Sequence, residues 1–216
     1  MNYFAHGRQY TSTPYFMAGT AVPDWLSVVD RRVRVRKKAA EAFDGDGDPR
    51  TAEVARGIVQ HLIDDDWFHR SRAFIELSTL LTVEVRHVLQ DDDGLRPQLL
   101  GHILVEILLD AALIADAPTQ LDAYYQALES IDPLLVQQTV NRISRHPTDK
   151  LALLIEHFTK LRILSDYLDD EKLFRRLNQI MRRVKVDELP RTFLDVLPEC
   201  RGLVTQRSVE LLTRRE

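Results

Sequence analysis

The sequence predicts an all-α protein, and three observations carry that prediction. Apolar residues recur at spacings of three and four, the period of an amphipathic helix. Glycine is scarce, with 8 residues in 216, and proline and Asp/Gly clusters separate the apolar runs. Sustained alternation of apolar and polar residues, the pattern typical of strands, is not found. We therefore expect a helical bundle of roughly 8–10 helices that forms a single domain over the whole chain.

Helix boundaries follow from these breaks. The loop DGDGDPR, residues 44–50, predicts Asp48 as an N-cap before Pro49 at the first helical position. Short helices are expected in the first 43 residues, interrupted near Pro14 and Pro23. The remaining helices are expected over 50–66, over 70–90 up to a DDDG turn at 91–94, and over 97–115, 118–130, 133–145, 148–167, 169–184 and 190–213.

Composition narrows the classes of function. A net charge of −4 and a pI near 6.0 do not favour bulk binding to nucleic acid or to anionic membranes. The single cysteine, Cys200, excludes an internal disulfide, is interpreted as structural and fits a reducing cytoplasm. The N-terminal residues do not resemble a signal peptide. The apolar stretch 103–115 contains Glu106 and Asp110, and we expect it to be too short and too charged to span a bilayer.

Two predicted helices each carry a line of histidine and carboxylate side chains at spacing i, i+4, i+8, which places each line on one helix face. The two lines are His61, Asp65 and His69, and His102, Glu106 and Asp110. Carboxylates in such apolar surroundings need a partner or a bound cation. Two buried helices that face each other build metal sites in this way.

Two more polar residues lie in apolar runs, His6 in YFAH and Asp24 in VPDW. Each has a structural alternative: His6 as a core histidine bonded to a backbone carbonyl, and Asp24 as a helix N-cap. Glu106 and Asp110 have the alternative of pairing with arginines. We interpret residues 64 and 66 as a solvated acidic patch. Together, the imidazoles and carboxylates suit manganese, iron, zinc or magnesium.

Five short segments follow one another in a suggestive order. They are MNYFAH at 1–6, MAGTAVPDW at 17–25, ARGIVQHLIDD at 55–65, FHRSRAF at 68–74 and ILVEILLDAAL at 103–113. In order and spacing they resemble the acyl-carrier-protein phosphodiesterase family, a divergent branch of the helical HD-type phosphohydrolases. The resemblance covers roughly residues 1–115 and implies an HD-domain-like bundle with a metal-site half. Residues 116–216 form a helical scaffold or lid; two roles stay open for them, covering the site or forming a homodimer interface.

The resemblance also implies a ligand set. It assigns to the metal centre His6, Asp24, His61, Asp65 and Asp110, with Glu106 in place of an aspartate. The chain departs from the family pattern at Val59, His69 and Ala111, and the family does not require the histidine at His102.

The activity that the resemblance implies is phosphoester hydrolysis by a metal-dependent phosphodiesterase or phosphatase. One or two ions of manganese, iron or zinc would lower the pKa of a bound water. Asp24 and Glu106 are candidates for ligand or general base, and His69 and His102 for a second metal position or for orienting the ligands. Arg70 and Arg72 are candidates for contacting phosphate, with solvent-exposed helix charge as the alternative.

The segment RRVRVRKK, Arg31 to Lys38, has six basic residues in eight. It is interpreted as a solvated helix face, as a docking surface for an acidic carrier protein, or as a contact for the phosphate groups of a nucleotide or nucleic acid. Two other functions stay open for the whole chain. One is a zinc-dependent, phospholipase-like hydrolase, and the other is a non-catalytic helical scaffold that binds a protein partner.

Overall fold

The computed structural model describes residues 1–89 and 96–214, and every regular element in that part of the chain is a helix. The all-α prediction is confirmed. The α-helices are α1 (Tyr3–Gly7), α2 (Pro14–Val29), α3 (Lys37–Glu41), α4 (Pro49–Arg70), α5 (Arg72–Val88), α6 (Arg96–Asp116), α7 (Pro118–Glu129), α8 (Pro133–Ile143), α9 (Leu151–Leu161), α10 (Asp170–Val184), α11 (Leu197–Gln206) and α12 (Ser208–Leu212). Two 3-10 helices, Ile163–Leu168 and Arg191–Asp195, lie before α10 and α11.

The chain divides into two compact units. The α2 unit comprises Tyr3–Asp65 and Ala117–Ile163, and the α6 unit comprises Met1–Asn2, Asp66–Asp116 and Leu164–Glu216. Helix α4 contributes residues to both units. The expectation of a single domain with a metal-site half ending at residue 115 stays a prediction.

In the α2 unit, helix α2 packs against α1, α7, α8 and α9. It also crosses α4 at two glycines without space for a side chain. A Cβ on Gly57 would lie 2.1 Å from the carbonyl oxygen of Phe16, and one on Gly19 would lie 2.3 Å from that of Val54. The two backbones can approach this closely only because both residues lack a Cβ. The crossing brings the backbone of Thr20 next to α4.

In the α6 unit, helix α6 packs against α5, α11 and α12. Its contact with α5 is also close, because a Cβ on Gly101 would lie 2.6 Å from the carbonyl oxygen of Ser78. Leu104 and Leu108 of α6 are fully buried. Burial of such side chains contributes about 1.5–3 kcal/mol each. This packing holds the polar residues of α6 in a defined position.

Helix α4 begins at Pro49, and the carboxylate of Asp48 accepts a hydrogen bond from the backbone N–H of Arg50 at 2.9 Å, so the predicted cap is confirmed. The boundaries predicted for α5 to α8 lie within a few residues of those observed, and the DDDG turn at 91–94 lies outside the described residues.

Three helix predictions were wrong. Helix α2 continues through Pro23, whereas an interruption was expected there. The helix expected over 148–167 ends at Leu161, because Arg162 adopts the left-handed conformation with φ 46°. The helix expected over 190–213 is split into three, since Pro198 lacks a backbone N–H and instead occupies the start of α11.

Helix α6 extends well beyond the apolar stretch 103–115 that was considered as a membrane span. It has 21 residues, and by length and composition alone it would be able to cross a membrane. The expectation that this stretch is too short to span is therefore wrong. A single helix of this kind is weak support for a membrane span, because core helices of soluble proteins pass the same test. More than half of the most apolar 18-residue stretch of this helix is buried inside the protein.

Candidate metal centre

Within residues 1–89 and 96–214, two groups of three side chains are close enough to hold a metal ion. The first group, which we call the α2-unit group, consists of His6, His61 and Asp65. His6 lies on α1, while His61 and Asp65 lie one turn apart on α4. The sequence analysis predicted all three as ligands, and the structure brings them together.

The carboxylate of Asp65 faces both imidazoles. Its Oδ1 lies 3.1 Å from Nε2 of His6, and its Oδ2 lies 3.3 Å from Nε2 of His61. The two imidazole rings stack with centroids 4.1 Å apart and an interplanar angle of 28°. Both histidines are buried, so the carboxylate and the rings meet with little water between them.

A backbone carbonyl determines the tautomer of His61. Its Nδ1 lies 2.7 Å from the carbonyl oxygen of Thr20. A carbonyl oxygen only accepts hydrogen bonds, so we assign the hydrogen to Nδ1, which donates it. Nε2 of the same ring faces Asp65 and donates to its carboxylate when the ring is protonated. The close crossing of α2 and α4 at Gly19 and Gly57 allows this contact, since it places Thr20 next to the helix that carries His61.

The charges of the α2-unit group are coupled. Burial disfavours the charged form of His61, but the nearby carboxylates of Asp24 and Asp65 outweigh burial and raise its pKa. Burial also disfavours the charged form of Asp65, but hydrogen bonds from His6 and His61 outweigh it and lower its pKa. The site therefore holds a carboxylate that stays ionised inside the protein, and either a protonated histidine or a bound cation serves as its positive partner.

The spacing of the ligand atoms fits a transition-metal ion. Imidazole nitrogens and carboxylate oxygens bind zinc at about 2.0–2.2 Å, so two ligands of a tetrahedral ion lie about 3.4 Å apart. The two nitrogen–oxygen distances in the α2-unit group, 3.1 and 3.3 Å, are close to that value. The bond from His61 to a backbone carbonyl is also the arrangement that usually orients a metal-binding histidine. The residues present therefore fit a divalent metal.

The structure adds Asp64 to the surroundings of this group. Its Oδ2 lies 3.6 Å from Nδ1 of His6, a buried atom that makes no hydrogen bond to any described residue. Its Oδ1 accepts a hydrogen bond from Gln60 at 2.8 Å, and its side chain is only 20% exposed. The interpretation of Asp64 as part of a solvated patch was wrong, whereas Asp66 is exposed and pairs with Arg70. The spacing of Gln60 and Asp64, four residues apart on one helix, was the available sequence signal.

The second group, which we call the α6-unit group, consists of His69, His102 and Glu106. Oε1 of Glu106 lies 2.9 Å from Nε2 of His69 and 3.6 Å from Nε2 of His102. The two rings stack with centroids 4.8 Å apart. The same oxygen accepts a hydrogen bond from the α-amino group of Met1 at 3.0 Å. All three residues of this group are only half-buried, whereas both histidines of the α2-unit group are buried, so the α2-unit group is the stronger candidate.

Two predicted ligands belong to neither group. Asp24 lies in the interior of α2, so its alternative as an N-cap was wrong. Its carboxylate favours the charged form of His61 and so raises the pKa of that histidine. Asp110 is fully buried on α6. Their roles as ligands, and the roles of Asp24 and Glu106 as general bases, stay predictions.

The two arginines predicted to bind phosphate lie at the surface. Arg70 pairs with Asp66 at 2.7 Å, and Arg72 pairs with Glu76 at 2.6 Å. Their side chains are 77% and 90% exposed. These contacts agree with the alternative of solvent-exposed helix charge, and contact with a substrate stays a prediction.

Comparison with known proteins yields no match to a family model, to a curated protein or to a solved structure.

Proposed function

We propose that this protein is a metal-dependent phosphohydrolase that hydrolyses a phosphoester at the α2-unit group. The observation that carries the proposal is the orientation of His61: its Nδ1–H donates to the carbonyl of Thr20, and its Nε2 points to Asp65 beside Nε2 of His6. The resemblance to acyl-carrier-protein phosphodiesterases and to the HD-type fold supports the reaction class. Manganese, iron and zinc all suit this ligand set.

A bound metal would supply the chemistry by lowering the pKa of a coordinated water to near neutrality and by neutralising charge on phosphoryl oxygens. His6, His61 and Asp65 would hold it. The carbonyl of Thr20 keeps the ring of His61 in one orientation, and this would leave Nε2 available to a metal ion. Asp64 lies 3.6 Å from Nδ1 of His6, on the side of the ring away from Nε2, where it would orient that histidine.

Metal content tests the proposal first. The protein is purified without chelator or affinity metal, and its manganese, iron and zinc are measured by elemental analysis beside those of His61→Gln and the control His157→Gln. His157 is an exposed histidine on α9. We expect about one equivalent in the wild type and the control and a loss of at least about tenfold in metal affinity in His61→Gln. Circular dichroism should show that all three proteins are folded.

Hydrolysis tests the activity. Bis(p-nitrophenyl) phosphate serves as a generic phosphodiester, and a short-chain phosphatidylcholine tests the phospholipase-like alternative. We expect metal-dependent release of p-nitrophenol by the wild type and the control, and not by His61→Gln. A protein that holds no metal and also refuses added manganese, iron and zinc in calorimetry would overturn the proposal and favour the non-catalytic scaffold.

A further inference from the structure

The basic segment from Arg31 to Lys38 is not a helix face. Residues 33–36 have no regular secondary structure, Arg36 is extended with φ −110° and ψ 143°, and α3 begins only at Lys37. Burial alternates along this segment. Val33 is 1% exposed, while Arg34 and Arg36 are exposed. The valine anchors the segment to the protein, and the arginines form a row on the solvent side.

This row forms one wall of a groove within the α2 unit. The other wall is the segment that follows α8. The groove has a volume of about 490 Å³, in the size range of small-molecule sites. Its charged and titratable lining residues are Arg32, Arg34, Arg36, Lys38, Arg145 and His146. Among the described residues that line it, none is acidic.

Most of these cations have no carboxylate partner. Arg32 pairs with Asp30 at 2.8 Å. In the part of the chain that the structure describes, Arg34, Arg36 and Arg145 make no ion pair, and the guanidinium of Arg34 donates only to the backbone carbonyl of Arg31. Like charges held together in a concave surface focus a positive potential that attracts anions.

A second arginine-lined pocket, in the α6 unit, shows the contrast. It is lined by Arg70, Arg72, Arg207 and Arg214, and the first three each pair with an acidic residue of the same pocket. Most of those charges are already compensated within the protein, whereas most charges of the groove beside Arg34 are not. An anion entering this groove would meet guanidinium groups that need not first break an ion pair.

The shape and chemistry of the groove restrict the anion. Guanidinium groups bind phosphate and carboxylate by paired hydrogen bonds. Among its described lining residues the groove has no Phe, Tyr or Trp and one imidazole, His146, so it lacks the row of rings on which single-stranded nucleic acid stacks successive bases. Several cations in one small concavity suit an anion with more than one charged group. We propose that this groove binds a small anion that carries two or more linked phosphate groups. The proposal does not depend on hydrolysis at the α2-unit group.

Calorimetric titration of the full chain with sodium tripolyphosphate tests the proposal. The test variant is Arg34→Gln/Arg145→Gln, which removes one cation from each wall. The control variant is Arg86→Gln/Arg175→Gln, which removes two exposed arginines of the α6 unit. We expect saturable binding by the wild type and the control. The groove variant should bind at least about tenfold more weakly, since it lacks one guanidinium donor from each wall.

The identity of the anion is tested with orthophosphate, sulfate and a hexaglutamate peptide. We expect each of them to bind at least about tenfold more weakly than tripolyphosphate. An equal loss of tripolyphosphate affinity in the groove variant and the control variant would show that the anion responds to the charge of the whole surface and not to the groove. That result would overturn the proposal. Unchanged binding in the groove variant would place the anion at a metal ion or elsewhere, and would also overturn it. Tighter binding of hexaglutamate would overturn it as well, and would make the groove a dock for an acidic polypeptide, such as the acidic carrier protein that the sequence suggested.

Discussion

At the scale of single residues, the candidate metal centre depends on Gly57, which has no side chain of its own to contribute. A methyl group there would overlap the carbonyl oxygen of Phe16 at 2.1 Å. The neighbouring carbonyl, that of Thr20, is the one that orients His61. The position of the imidazole is therefore set by how closely two backbones approach each other.

Gly57→Ala should destabilise the protein and weaken metal binding together. Helix propensity alone favours alanine, but helices α2 and α4 must move apart to admit the methyl group, at a cost of about 1–3 kcal/mol. We expect the midpoint of urea denaturation to fall and metal affinity measured by calorimetry to fall with it.

The control is Gly202→Ala, which lies inside α11 with nothing within 4 Å of the position that the new methyl group would take. It should stabilise the protein by about 0.5–1 kcal/mol. A Gly57→Ala protein as stable as this control would show that the crossing is not tight.

The sequence was sufficient to find the three candidate metal ligands of the α2-unit group. Spacing along one helix singled out His61 and Asp65, and the apolar setting of His6 marked it as unusual. The role of Thr20 could not be found in this way, because it acts through a backbone carbonyl, which every residue has. For Asp64, spacing indicates the bond to Gln60 on the same helix, but the contact with His6 depends on which way α4 turns toward α1.

At the scale of helices, Ser71 divides α4 from α5. Its backbone is extended, with φ −66° and ψ 142°, and its Oγ accepts a hydrogen bond from the N–H of Phe74 at 3.2 Å. This bond satisfies one of the first N–H groups of α5, which have no partner within the helix. The serine is the N-cap of the helix that packs against α6.

Ser71→Ala should lower the free energy of unfolding by about 1 kcal/mol, because alanine cannot cap the first turn of α5. The measurement is urea denaturation followed by circular dichroism. Ser130→Ala is the control: Ser130 follows α7, and its hydroxyl donates to the carbonyl of Ala127 without capping an N-terminus. We expect a change below about 0.5 kcal/mol there. Equal effects of both substitutions would contradict a capping role for Ser71.

Helix periodicity predicted most of the helices, but it misplaced several of the points at which a helix continues or ends. Pro23 was expected to interrupt a helix, yet packing of α2 against four other helices keeps it continuous. Proline removes one hydrogen bond and strains one turn, and tertiary contacts offset that loss. The segment RVRVR, by contrast, has the alternation of an extended chain. It was too short to be recognised beside the surrounding helices.

At the scale of the whole molecule, the single thiol is a probe of unfolding. Cys200 is fully buried on α11, and burial together with Glu84 and Glu199 raises its pKa to about 12. The expectation of a structural cysteine agrees with this environment. The thiolate is the reactive form, so the native thiol should be inert near neutral pH.

Labelling with Ellman's reagent at pH 8 should be at least about a hundredfold slower in the native protein than in concentrated urea, since the thiolate fraction and the access are both low. Glutathione in the same buffer provides the reference rate. Because the chain has one cysteine, every labelled molecule reports opening of the α6 unit. Native labelling as fast as that of glutathione would contradict the buried, raised-pKa thiol.

The longest apolar helix of the α6 unit has a consequence during synthesis. A 21-residue segment with this hydropathy, emerging unfolded from the ribosome, resembles the segments that insertion machinery transfers into lipid. Glu106 is its central residue, and a charged residue at the centre of a helix raises the cost of insertion by roughly 2.5–3.5 kcal/mol. The carboxylate of the α6-unit group therefore also opposes mistargeting of the nascent chain. Replacing Glu106 with leucine would leave only Asp110 near the centre of the helix to oppose insertion. A test of Glu106 as a metal ligand should therefore use glutamine, which removes the carboxylate but keeps a polar side chain.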